Sequence, residues 1–277
     1  MTRPTRPLLR YHGGKWRIAP WIIEKMPAHV AYTDSFGGGA SVLLRKTPVK
    51  LEVYNDLDGE LVNLFVVLRN DAEALAESIA LTPFARAEFD CAYETTSDSL
   101  ERARRTLIRS HMGHGSNGVH KSTGFRAAGM RAGTLPVHNW QGMPEVIKAT
   151  AERFKNVVIE NRPAIDVMRM NDGPTTLHYV DPPYPFETRG AGKDYGHELS
   201  DNEHADLLAA LKTLQGKVIL SGYACDLYDS ALCNWCRFER EVRADRALER
   251  TEVLWMNYDP SAEPPPGGMF ATPEDRA

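Results

Sequence analysis

The feature that most constrains this chain is the direct succession of a strand, a glycine loop, a helix and a second strand. Ala31 to Phe36 reads as a strand running into Gly37-Gly38-Gly39, after which Ala40 to Lys46 has helical spacing. Leu51 to Tyr54 reads as a short strand ending at Asn55-Asp56, and Leu57, Leu61, Leu64, Phe65 and Leu68 mark the helix that follows. Parallel neighbours need a crossover, normally a helix, so this order opens a doubly wound α/β sheet.

The same rhythm returns after residue 156. Asn156 to Glu160 is an apolar strand, Ala164 to Met170 a short helix, and Thr176 to Val180 a strand that delivers Asp181. Ser200-Asp201-Asn202-Glu203 is a capping-box signature for a helix over Asn202 to Leu214, with Gly216 placed to stop it, and Lys217 to Leu220 is a further strand. Between the halves the rhythm breaks. A strand-helix step takes about 30 residues, yet about 100 separate Asp56 from Asn156. The predicted organisation is therefore an α/β domain formed by residues 1–56 and 150–260, an inserted and mostly helical subdomain over 57–149, and a disordered tail over 261–277, where Pro264-Pro265-Pro266-Gly267-Gly268 lies.

Charge distinguishes the insertion. The net charge is −4, but Glu101 to Trp140 holds Arg102, Arg104, Arg105, Arg109, Lys121, Arg126 and Arg131 against the single acid Glu101, with four histidines in the same window. Such concentration on a chain acidic elsewhere fits a polyanion-binding face, and a solvated helix face is the plainer alternative. No run approaches the roughly 18 apolar residues of a membrane span, and no apolar stretch follows the first residues as in a signal sequence. Four cysteines, Cys91, Cys225, Cys233 and Cys236, are too few for a disulfide framework. These readings place the chain in the cytoplasm. The Cys233-Asn234-Trp235-Cys236 pair lacks two further zinc ligands nearby, so no metal site is expected.

Three motifs carry chemistry. Asp181-Pro182-Pro183-Tyr184 follows a strand, where open α/β sheets place their sites. An adenine amine is a poor nucleophile because its lone pair is delocalised. A carboxylate and the Pro182 carbonyl can accept its two N–H bonds and turn the lone pair toward a methyl group. Paired prolines stiffen the turn, and the Tyr184 ring offers a platform on which an extruded base can stack. A bare turn, or a short proline-rich ligand, is the alternative reading of the tetrapeptide.

Asp34-Ser35-Phe36-Gly37-Gly38-Gly39-Ala40-Ser41 lacks, at Val42, the third glycine of the dinucleotide fingerprint, which disfavours a nicotinamide oxidoreductase. It better fits close backbone approach to an adenosine-and-amino-acid cofactor without pyrophosphate. Asp56 stands where a carboxylate can accept two ribose hydroxyls, unless it merely caps a helix. Tyr11-His12-Gly13-Gly14-Lys15 precedes a helix expected over Trp16 to Met26 and can hold a carboxylate or phosphate, with Lys15 as the point charge.

In this order, the three motifs, with Tyr54-Asn55-Asp56 and the long insertion, resemble the Dam-like, alpha-class DNA adenine N6-methyltransferases over roughly residues 8 to 258. The resemblance implies a Rossmann-like S-adenosylmethionine-dependent methyltransferase sheet, with the insertion as target-recognition domain. It implies cofactor contacts from Tyr11, Lys15, Asp56 and Asp181, and a cofactor loop of Asp34, Phe36 and the glycines. With Gly14, Gly37, Gly39, Ala40 and Ser41 these are the expected cofactor residues. Asp181, Pro182, Pro183 and Tyr184 are the expected catalytic ones.

The implied reaction moves a methyl group from S-adenosylmethionine to the N6 amine of an adenine flipped out of double-stranded DNA, with no metal and no obligatory protein partner, in a monomer or weak dimer. Arg109, Lys121, Arg126 and Arg131 are the candidate phosphate contacts, and His114 and Asn117 the candidate base readers. The aromatic-rich hairpin sequence associated with reading GATC is absent. Arg109-Ser110-His111-Met112-Gly113-His114-Gly115-Ser116-Asn117-Gly118 stands instead, so the resemblance does not give the recognition sequence. The rivals are methylation of the cytosine amine, RNA as substrate, and a non-enzymatic DNA-binding or proline-motif protein.

Overall fold

In a computed structural model, residues 4–127, 135–188, 196–243 and 249–262 are described. Seven strands, β1 (Ala31–Asp34), β2 (Leu51–Asn55), β3 (Val157–Glu160), β4 (Thr176–Val180), β5 (Lys217–Tyr223), β6 (Cys236–Arg243) and β7 (Glu249–Met256), form one sheet in the order β3-β2-β1-β4-β5-β7-β6. The first five are parallel, and β7 inserts antiparallel between β5 and β6. This is the Rossmann-like order with an antiparallel hairpin at one edge. The order reverses between β1 and β4, where Asp34 pairs with Tyr179, and a doubly wound sheet opens its crevice at that switch point.

Both faces of the sheet are covered, so its central strands are apolar throughout rather than alternating; all five residues of β4 are buried. On one face, α9 (Ala164–Met170), α10 (Asp201–Leu211) and α11 (Asp226–Ala231) pack through Met168, Leu207, Leu211 and Tyr228 against Val180, Val218 and Leu220. On the other face lie α1 (Ala19–Glu24) and α2 (Ser41–Arg45), together with α3 (Gly59–Asn70), α4 (Ala72–Leu81), α5 (Arg86–Cys91), α6 (Ser99–Met112), α7 (Pro136–Gln141) and α8 (Met143–Phe154). The helices of the long middle segment share one apolar core with that face: Leu64, Phe65, Leu107, Ile147 and Phe154 belong to the cluster that holds Leu177 and Ile219.

Some boundaries differ from expectation for local reasons. The helix expected over Trp16 to Met26 is α1 alone, because Pro20 sits in its first turn, where a missing N–H costs nothing, and Pro27 follows its end. The capping box at Ser200 is formed as expected, with Ser200 and Glu203 bonded reciprocally. Gly216 does not stop that helix, which ends at Leu211. It enters β5 so closely that a Cβ would stand 2.8 Å from the Thr176 carbonyl oxygen.

The segment after α6 folds back on itself: Arg126 N donates to Met112 O at 2.7 Å, His114 N to Gly124 O at 2.9 Å, and Gly113 bridges Phe125. No helix among the described residues is long and apolar enough to cross a membrane. Cys225, Cys233 and Cys236 are free thiols, and no group of three or more metal-ligating side chains occurs among the described residues. The expected tail beyond residue 262 lies outside the described residues.

Candidate active site

The carboxyl ends of β1, β2 and β4 open into a cavity of about 500 Å³ that brings all three motifs together. Tyr11, Gly14, Lys15, Asp34, Phe36, Gly37, Gly39, Ser41, Asp56, Asp181 and Pro183 line it. Ala40, Pro182 and Tyr184 are buried just behind. The cavity volume falls within the range of small-molecule and cofactor sites.

Interlocking side chains shape its glycine wall. A Cβ on Gly37 would lie 2.2 Å from the ring of Tyr54, whose hydroxyl donates to Gly38 O at 2.8 Å. Gly38 has φ +47°, and a Cβ there would lie 2.7 Å from Tyr11. The N-terminal motif is thus pressed directly onto the glycine loop. Ala40 caps α2 in the left-handed region at φ 54°, a conformation costly for a residue with a Cβ.

Asp56 has both carboxylate oxygens on backbone N–H groups, Gly38 N to Oδ2 at 2.8 Å and Asp58 N to Oδ1 at 2.8 Å. It does not cap the following helix. Asp58 does so, accepting from Glu60 N at 2.8 Å. Burial raises the Asp56 carboxyl despite these bonds. Asp34 is raised well above the ordinary range by burial and by Asp181 and Asp56 nearby.

Lys15 does not stand at the cavity as an isolated point charge. Its ammonium lies 3.0 Å from Asp181 Oδ1 and 3.6 Å from Glu252 Oε1, and donates to Gly13 O at 2.8 Å. The Tyr184 hydroxyl also reaches Asp181 Oδ1, at 3.2 Å, and lies closer to Glu252 Oε1, at 2.5 Å. Both contacts to Asp181 therefore fall on one oxygen. Burial pushes the Asp181 carboxyl up to about 6, with Lys15 opposing and Glu252 adding to the rise.

The Tyr184 ring is only 3% exposed, lies edge-on to Tyr223 and has the Lys15 ammonium 4.8 Å from its centroid. In this conformation Tyr184 presents its hydroxyl to the site and not, as expected from sequence, an open face for stacking.

Charge decides what the cavity suits. Asp56, Asp58, Asp181, Glu198 and Glu203 line it against Lys15, beside Asp34, whose carboxyl burial holds toward the neutral form. A ligand bearing pyrophosphate would meet repulsion there, whereas hydroxyl groups and cationic centres would be favoured. Asp58, Glu198, Glu203, Glu252 and His120 escaped the sequence reading of the site. Glu252 directly precedes the apolar run Val253-Leu254-Trp255-Met256 and follows the polar Glu249-Arg250-Thr251, so nothing in the sequence sets it apart as a buried charge. His120 comes from the middle segment, and its ring nitrogens reach Tyr11 Oη at 3.0 Å and Asp58 Oδ2 at 3.2 Å. Nothing local in sequence marks it out from the other histidines.

The basic segment is less uniformly cationic than its composition suggests. Arg102 is paired with Glu60, Arg104 with Glu88 and Glu101, and Arg105 with Glu101. Arg109, expected at phosphate, is turned inward, with its guanidinium 3.1 Å from Thr106 Oγ1 and 6.0 Å from the Tyr93 ring centre, and burial lowers its pKa. His114 and Lys121 are exposed on the folded-back loop, and Asn117 and Arg126 are half-buried. Arg131 lies outside the described residues.

No curated protein matches the chain. A family model does, over residues 11–244, which runs from the tyrosine of the first motif to the end of β6 and takes in the cavity and the middle segment. The chain belongs to the D12 class of N6 adenine-specific DNA methyltransferases.

Proposed function

We propose that this DNA adenine methyltransferase uses S-adenosylmethionine as its methyl donor and acts on an adenine turned out of double-stranded DNA, with Asp181 as the acceptor that orients the N6 amine. One observation carries the reading. Asp181 Oδ1 faces the Lys15 ammonium at 3.0 Å and the Tyr184 hydroxyl at 3.2 Å, while the carboxylate lines the cavity. Oδ2, to which no donor comes among the described residues, is then the oxygen offered to substrate.

When bound, S-adenosylmethionine supplies an electrophilic sulfonium methyl group. Asp56 and the Gly37 to Ser41 loop would hold its adenosine, with Tyr11, Asp34 and Phe36, and the acid-rich lining suits its cationic centres. The chain's own work is orientation. An N–H of the amine bonds Asp181 Oδ2 and the other bonds Pro182 O, so the nitrogen lone pair points at the electrophile and the excess proton leaves after transfer. Inside a duplex the amine cannot reach such a cavity, so the base must be extruded.

Residues 57–149 are the target-recognition unit in this reading. Lys121, Arg126 and Arg131 contact phosphate, and His114 and Asn117 face base edges. A monomer or weak dimer working in the cytoplasm suffices for all of this.

Asp181→Ala should lower turnover at least about 100-fold, measured at saturating S-adenosylmethionine. Retention of substantial methylation would remove Asp181 from this role.

A further inference from the structure

Glu252 lies on β7 in the row of alternate residues Met256, Leu254 and Glu252, at the end nearest the site. It is 3% exposed, and a buried carboxylate without partners is strongly disfavoured. Its Oε1 alone gathers the Tyr184 hydroxyl at 2.5 Å, the Ser221 hydroxyl at 2.6 Å and the Lys15 ammonium at 3.6 Å. Among the described residues, other groups bear on it as well. Tyr223 on β5 and Arg240 on β6 are its cross-strand partners. Tyr179 on β4 lies within electrostatic reach. The Arg250 guanidinium stands 5.7 Å from the Tyr223 ring centre.

We infer that Glu252 is a positioning residue for methyl transfer: its carboxylate accepts the Tyr184 O–H hydrogen bond and shares the Lys15 ammonium, so that Asp181 keeps its strength as an acceptor and presents its other oxygen to the amine. The inference rests on the role of Asp181 proposed above. A phenol has one hydrogen to donate, and the 2.5 Å contact to Glu252 outbids the 3.2 Å contact to Asp181. Lys15 likewise lies between two carboxylates instead of being given wholly to one. If the Glu252 charge is removed, the hydroxyl and the ammonium both fall back on Asp181 Oδ1. The acceptor is then weakened.

The charge also acts through space, adding to the rise of the Asp181 carboxyl. Removing it lowers that pKa, so the acid limb of the rate profile, set by protonation of the acceptor, moves to lower pH. A residue that only held β7 in place would leave this limb where it is.

The test is Glu252→Gln in the full chain, with turnover, both KM values and the pH profile measured beside Asp181→Ala. The expected result is a fall in kcat of about 10- to 100-fold, KM values within a few-fold, and an acid limb displaced downward. Wild-type kcat and an unmoved limb in Glu252→Gln, with Asp181→Ala inactive, would overturn the role of Glu252 alone. An active Asp181→Ala would overturn the underlying reading instead.

Should Glu252→Gln not fold, Ser221→Ala removes the second hydroxyl that anchors Oε1 at the modest cost of one hydrogen bond. A several-fold loss of kcat is expected there, and unchanged kcat with an unchanged pH profile would overturn the proposal.

Discussion

Each oxygen of Asp56 already accepts one backbone N–H, yet a carboxylate oxygen has a second lone pair to offer. The residue can therefore brace the glycine loop and still accept ribose hydroxyls. Asp56→Ala should weaken S-adenosylmethionine binding by roughly 10- to 100-fold, about the worth of one or two hydrogen bonds to a charged acceptor. Calorimetry showing wild-type affinity would confine Asp56 to the loop.

At Asp181, protonation removes an acceptor, so activity should fall as pH drops through about 6. A rate flat to pH 5 would contradict a carboxylate as the working form. Both aspartates were legible in sequence because each ends a strand at a motif. The partners that fix them, Lys15 on Asp181 and Gly38 on Asp56, were not, since they depend on which loop lies over which strand end.

Strand and helix order outside the middle segment came through up to β5, but α11 and the β6–β7 hairpin beyond it were not read. α9 and β4 match their predicted limits, because buried strands bounded by turn residues carry a strong pattern. The helices of the middle segment were less readable. Their apolar faces serve one core shared with the sheet, and the loop between α6 and α7 has no period of its own.

The glycine loop is the element whose sequence is most constrained by packing. At Gly37, a Cβ has no room beside Tyr54, which is fully buried and tied to Gly38 O. Gly37→Ala should cost about 1–3 kcal/mol through overpacking and displace the loop, lowering Tm and cofactor affinity together. Unchanged Tm and affinity would mean that Tyr54 yields freely.

The whole molecule is braced away from the cavity by a buried cluster. Arg153 on α8 forks onto both oxygens of Glu52 on β2, at 2.5 and 2.9 Å, and also donates to Leu43 O of α2 at 2.7 Å, while Lys46 joins Glu52 at 2.7 Å. This cluster ties the end of the middle segment to the sheet. Arg153→Ala leaves charge buried with fewer partners and should cost about 3–5 kcal/mol, a fall in Tm on the order of 10 °C. A loss below about 1 kcal/mol would show that water replaces the guanidinium.

DNA binding is also a property of the whole surface. Because Arg109 is spent inside the protein, Lys121→Ala and Arg126→Ala should each lower the salt dependence of DNA binding by about one unit of slope, and Arg109→Ala should not. The composition of the middle segment foretold its basic character but not which arginines would be paired internally, because their partners Glu60 and Glu88 lie earlier in the chain.

The most direct measurement is to express the chain in a host lacking adenine methylation and map modified bases in its DNA by single-molecule sequencing. N6-methyladenine confined to one defined sequence, and abolished by Asp181→Ala, is the predicted result. Unmodified adenine, or methylation on the cytosine amine instead, would contradict it.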